Sequence, residues 1–98
     1  MYTIEVKPFV EIYYTKNDTQ QRYPKQAKRV AIIFPHALSY DMKGILKREL
    51  RAMDGWYNLK YDEGKWSLRN DRLVIDRAID ILNDTYDTSQ LIDYASTL

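Results

Sequence analysis

Near the start of the chain, apolar and polar side chains alternate. Ile4, Val6, Val10, Ile12 and Tyr14 share one parity, and Glu5, Lys7, Glu11 and Tyr13 share the other. A period of two predicts a strand over 3–14 with one buried face. Pro8 falls inside the run and has no amide to donate, so this strand is expected at a sheet edge or bent there. Lys16–Ala27 is polar, contains Pro24 and shows no periodicity. It predicts a loop near the ~12-residue length at which loops tend to carry function. Val30-Ala31-Ile32-Ile33-Phe34, stopped by Pro35, predicts a central strand buried on both faces.

Leu38, Met42, Ile45, Leu46, Leu50 and Met53 then follow helical spacing. Ser39 is placed to cap this helix, Asp41 suits its first turn and Gly55 its end. Gly44 costs the helix interior about 1 kcal/mol against alanine, which a close approach to a neighbour would explain. Residues 55–68 predict a hairpin whose register follows from parity. If Tyr57, Leu59 and Tyr61 share a face with Trp66 and Leu68, Tyr61 opposes Trp66 and Leu59 opposes Leu68. The connection is then Asp62-Glu63-Gly64-Lys65, with Gly64 supplying a positive φ. The other hairpin face carries Trp56, Asn58, Lys60, Ser67 and Arg69.

A second helix is expected after Asn70 or Asp71 as cap, with Ile75, Ala78, Ile79 and Leu82 inward, Val74 and Ile81 beside them, and Asp76, Asp80, Asp84 and Asp87 outward. Residues 88–98 form a C-terminal tail with a short helix through Leu91, Ile92 and Tyr94. The order β-β-α-β-β-α predicts a single α+β domain over 1–98, a small mostly antiparallel sheet with two helices packed on one face.

The composition fits a folded chain: 45% hydrophobic, 30% charged with both signs mixed, and no cysteine to form disulfides or thiolate zinc sites. The first residues lack a basic segment followed by an apolar run, and no stretch approaches ~20 apolar residues. The expectation is a cytoplasmic protein with no membrane span. The net charge of +1 hides an asymmetry. Residues 1–69 carry +5 and residues 70–98 carry −4, a division that suits a polyanion-facing side and an acidic far side.

Enzyme signals are missing. The single histidine, His36, has no cysteine, spaced carboxylate or glycine-flanked serine to work with, and no phosphate-loop, dinucleotide or zinc-protease motif occurs. We expect no enzymatic activity, no cofactor and no metal site. The richer constellation is basic and aromatic. Lys43, Lys47 and Arg51 stand at i, i+4, i+8 on the first helix with Arg48 beside them. Arg22, Tyr23, Lys25, Lys28 and Arg29 cluster around Pro24, and the hairpin adds Trp56, Lys60, Lys65 and Arg69. Cations neutralise phosphates and exposed rings stack on unpaired bases. Tyr13 and Tyr23 are the tyrosines expected to be exposed.

Residues 30–82 combine the strand "RVAIIFP", the helix end "GILKREL", the turn "YDEGKWSL" and the helix "DRAIDIL". This stretch resembles the HARP domain, the DNA-recognition module attached to annealing helicases, and is similar to fork-recognition modules of some superfamily-2 helicases. Tyr61, Asp62, Lys65 and Trp66, with Leu68 beyond, carry the likeness. The resemblance implies binding to single-stranded, forked or damaged DNA without remodelling, since no ATPase motor is present. Two readings result. The first is a stand-alone nucleic-acid-binding accessory domain. The second is a small viral or mobile-element protein that modulates a host protein through its acidic second helix or the edge strand around Pro8. Either a monomer or a homodimer fits the sequence.

Overall fold

The computed structural model describes residues 1–16, 22–54, 60–62 and 64–98. Its elements are β1 (Tyr2–Thr3), β2 (Glu5–Lys16), β3 (Arg22–Ile33), α1 (Tyr40–Asp54), β4 (Lys60–Asp62), β5 (Lys65–Arg69), α2 (Arg72–Leu82), β6 (Tyr86–Asp87) and α3 (Ser89–Ala95). The fold is α+β. The main sheet has the order β2-β3-β5-β4 with antiparallel pairing throughout, and β1 pairs in parallel with β6.

The alternation read from the sequence decides which way the sheet faces. Ile4, Val30, Ile32, Trp66 and Leu68 turn to one side, where Leu46 and Leu50 of α1, Val74, Ile75, Ala78 and Leu82 of α2, and Leu91 and Ala95 of α3 meet them in one core. The helices therefore cover a single face. α1 starts where expected, with the Ser39 hydroxyl accepting the Met42 amide at 3.1 Å. Asp71 caps α2 by accepting from Leu73 and Val74. The two helices are tied by Arg77 and Glu49 at 2.5 Å, and this guanidinium holds the Glu49 carboxyl below its ordinary value.

Several expectations are corrected. The segment 16–27 is not one long loop, because β3 begins at Arg22 and pairs with β2 as far as Lys16↔Arg22. The ladder with β5 ends at Arg29↔Arg69 and a last bond from the Asn70 amide to the Lys28 carbonyl, so among the described residues 22–27 pair only with β2. The result is a two-stranded arm running beyond the helical layer. On that arm, Val10, Ile12 and Tyr14 have core parity yet remain 52, 61 and 59% exposed. Parity fixes a face, but the helices do not extend far enough to cover it. Val30, Ala31, Ile32 and Phe34 are buried as expected of a central strand, and Ile33 alone in the run is half-buried.

On α1, Met53 is exposed rather than core. Gly44 approaches nothing, since a Cβ built there meets no atom within 4 Å. Replacing Gly44 by alanine is therefore expected to stabilise the protein by about 0.5–1 kcal/mol. A rise in the urea midpoint at unchanged m would show it. The hairpin register Tyr61↔Trp66 is present and Gly64 has φ 84°. Pairing continues to Asp62↔Lys65, so the connection is shorter than four residues. Tyr57, Leu59, Asn58 and Gly55 lie outside the described residues. α2 ends at Leu82, which leaves Asp84 and Asp87 off the helix and breaks up the expected acidic stripe. The C-terminal segment docks as α3 by burying Leu91 and Ala95.

Candidate nucleic-acid interface

Among the described residues no helix or strand packs on the face of the sheet opposite the helices, and the strand register identifies what it displays. Glu5, Lys7, Phe9, Glu11 and Tyr13 of β2 stand beside Ile33, Ala31, Arg29, Ala27 and Lys25 of β3. Lys65, Ser67 and Arg69 of β5 continue the rows from Ile33, Ala31 and Arg29. A shallow depression on this face is lined by Glu5, Lys7, Phe9, Ala31, Ile33, Lys65 and Ser67. Phe9, Ala31 and Ile33 supply its apolar lining, and Lys7 and Lys65 line it together with the Glu5 carboxylate. Farther along the arm, Tyr13 and Tyr23 are exposed, and the Lys25 ammonium lies 5.6 Å from the Tyr23 ring centre.

Phe9, Tyr13 and Tyr23 thus mark a line of rings along the open face. Four residues at about 3.4 Å each separate Phe9 from Tyr13 by about 14 Å. Tyr23 sits opposite Thr15, two residues farther along. Lys7, Lys25 and Lys65 flank the line, and Glu5 stands among them at the end of β2, opposite Ile33.

Arg29 has a different role from the one expected. Its side chain is 3% exposed, donates to the Ser67 carbonyl at 3.0 Å and lies 3.4 Å from the Glu11 carboxylate. It is an internal strut of the sheet that neutralises Glu11, not an outward cation. The Arg69 guanidinium turns back to the Met53 carbonyl at 3.5 Å and to Asp71 at 3.3 Å.

The remaining expected contacts divide between two sides of the molecule. Lys43, Lys47 and Arg48 belong to α1, on the covered side of the sheet, with Arg48 at 3.5 Å from Glu49. Lys28 is exposed but has the parity of Val10 and Ile12, so it also points to the helix side. Arg22, Arg51 and Lys60 are placed by backbone alone, in β3, α1 and β4. Trp56 lies outside the described residues. Of the expected set, Tyr23, Lys25 and Lys65 come together on one surface, and Lys7, Phe9 and Tyr13 join them. The signal for Phe9 was its position, an aromatic ring on the otherwise polar parity of β2.

Comparison with known proteins adds no relative. No family model, curated protein or solved structure matches this chain.

Other sites are weaker. His36 is exposed, donates from Nδ1 to the Ala37 carbonyl at 3.0 Å and meets the Tyr2 ring edge-on at 4.8 Å. Among the described residues no group of His, Asp and Glu could hold a metal ion. No described helix is long and apolar enough to cross a membrane.

Proposed function

We propose that this chain is a nucleic-acid-binding accessory domain and that single-stranded DNA lies along the open face of its sheet. The observation that carries this reading is the line of Phe9, Tyr13 and Tyr23, flanked by Lys7, Lys25 and Lys65, on a sheet face that no described helix or strand covers. Exposed rings stack on bases of any identity, and lysines beside them neutralise the phosphates. The α1 cations lie on the opposite side and serve a forked ligand only if its second arm passes around the sheet edge.

Fluorescence anisotropy with a labelled single-stranded oligonucleotide tests the reading. With three phosphates neutralised, affinity is expected to fall about 20-fold between 50 and 200 mM salt, from a log–log slope of about −0.7 per contact. Lys25→Glu with Lys65→Glu should abolish binding, whereas Lys47→Glu with Arg48→Glu should leave single-strand binding intact. Affinity that does not respond to salt, or that depends on the α1 pair alone, would refute an open-face site.

A further inference from the structure

We propose that the outer edge of β2 pairs, antiparallel and about a two-fold axis, with the same edge of a second copy of this chain. The inference uses the rim and the helix side of the arm, so it stands apart from the nucleic-acid reading.

The direction of the backbone groups comes first. The Asn70 amide donates to the Lys28 carbonyl, and the Phe34 amide to the Gly64 carbonyl. Even-numbered residues of β3 therefore turn their polar groups toward β5, and odd-numbered ones turn theirs toward β2. Arg29 opposes Phe9, so the odd residues of β2 bond β3 and the even residues face outward. β2 is the terminal strand of the sheet. Val10 and Ile12 thus carry both an outward amide and an apolar side chain that is more than half exposed. An apolar edge of this kind is a template for another strand.

Pro8 and Glu11 then restrict the register. Pro8 is even, so its missing donor lies on the outward side and interrupts the edge. With Phe9 or Val10 on the axis, Pro8 would face Val10 or Ile12 of the copy and a rung would be lost on each side. With Glu11 on the axis, two carboxylates would stand directly opposed. Moving the axis to Tyr13 would set Val10 against Lys16. With Ile12 on the axis, Ile12 meets Ile12, Val10 meets Tyr14 and Glu11 meets Tyr13. The rungs from 10 to 14 then contain no proline, no like charges and no apolar residue facing a lysine. This register moves Pro8 out to the last rung, opposite Lys16, and brings the apolar residues of the edge together on one another, which is why the occupant is a second copy and not an unrelated peptide.

The three side chains bury on the order of 300 Å² per copy, taking 150–250 Å² for an aromatic and less for the others. That is below the ~800 Å² per partner of a standard interface, so the dimer is reversible and depends on concentration.

Sedimentation equilibrium of the intact chain is expected to show a rise from 11.7 kDa toward twice that mass within the micromolar to millimolar range. Ile12→Pro removes an outward amide without touching the ladder to β3 and should hold the chain at 11.7 kDa with unchanged circular dichroism. Because the chain has no cysteine, Ile12→Cys is a clean reporter across the axis. Mild oxidation should cross-link it, while Gln90→Cys on α3 stays monomeric. If Ile12→Pro does not fold, Ile12→Cys still decides the matter. A wild-type chain that remains monomeric to about 1 mM, including one whose edge binds some other peptide, overturns the proposal. So does a dimer in which Ile12→Cys does not cross-link.

Discussion

Replacing Trp66 with alanine is expected to leave most of the chain unfolded in mild urea. Trp66 is fully buried at the middle of the sheet, opposed by Ile32 on one side and Tyr61 on the other. It faces the core built by all three helices, so its removal opens a cavity that no single neighbour can fill. Truncations of this kind cost about 3–5 kcal/mol. A domain of this size has a total stability of about 5–15 kcal/mol, so the loss takes a large share of it. Urea unfolding followed by circular dichroism should show the midpoint collapse, with Trp66→Phe retaining part of it. A loss below about 1 kcal/mol would mean that the sheet and helices are not joined through this ring.

The second large effect is expected on binding and not on stability. Tyr13→Ala with Tyr23→Ala removes two of the three rings from the open face. Each base stacked on an aromatic side chain contributes about 1–3 kcal/mol, so the double variant should bind single-stranded oligonucleotide at least about 30-fold more weakly. Both rings are exposed on the arm, outside the core cluster, so the urea midpoint should stay close to that of the wild type. Tyr13→Phe with Tyr23→Phe should retain binding, because stacking needs the ring and not the hydroxyl. Tyr40→Ala, also exposed but at the start of α1, should have no effect. If the double alanine variant binds as tightly as the wild type, the rings do not touch the ligand and the open-face site fails.

The contrast between these two residue groups explains what could be read from the sequence. Local chemistry was legible: the Ser39 and Asp71 caps, the positive φ of Gly64, the Tyr61↔Trp66 register and the inward residues of α2 each follow from a few neighbouring residues. The arm was not. Arg22–Lys28 is polar because no core packs on it, and without a core nothing imposes the alternation that marks a strand. The parity of Val10, Ile12 and Tyr14 gave a side of the sheet but not the length of the helices that would cover it. Arg29 looked like an outward cation because its partners, Glu11 and the Ser67 carbonyl, are distant in sequence. The candidate site was legible as residue types and not as a surface. Only the side on which α1 packs separates Lys47 and Arg48 from Tyr23, Lys25 and Lys65.

The parallel rungs Tyr2↔Tyr86 and Thr3↔Asp87 join the two extremes of the fold. Ile4, next to the first of these strands, is fully buried in the common core. The first strand therefore stays unpaired until residues 86–87 are available to it. Assembly cannot finish before residue 87 has left the ribosome, and contacts this far apart in sequence are among the slowest to form. Until then, the unfilled site for Ile4 adds to the apolar side of the arm, which stays exposed in the finished fold as well. A chain in which residues 86–87 have not yet received the first strand is thus the form most open to misassociation.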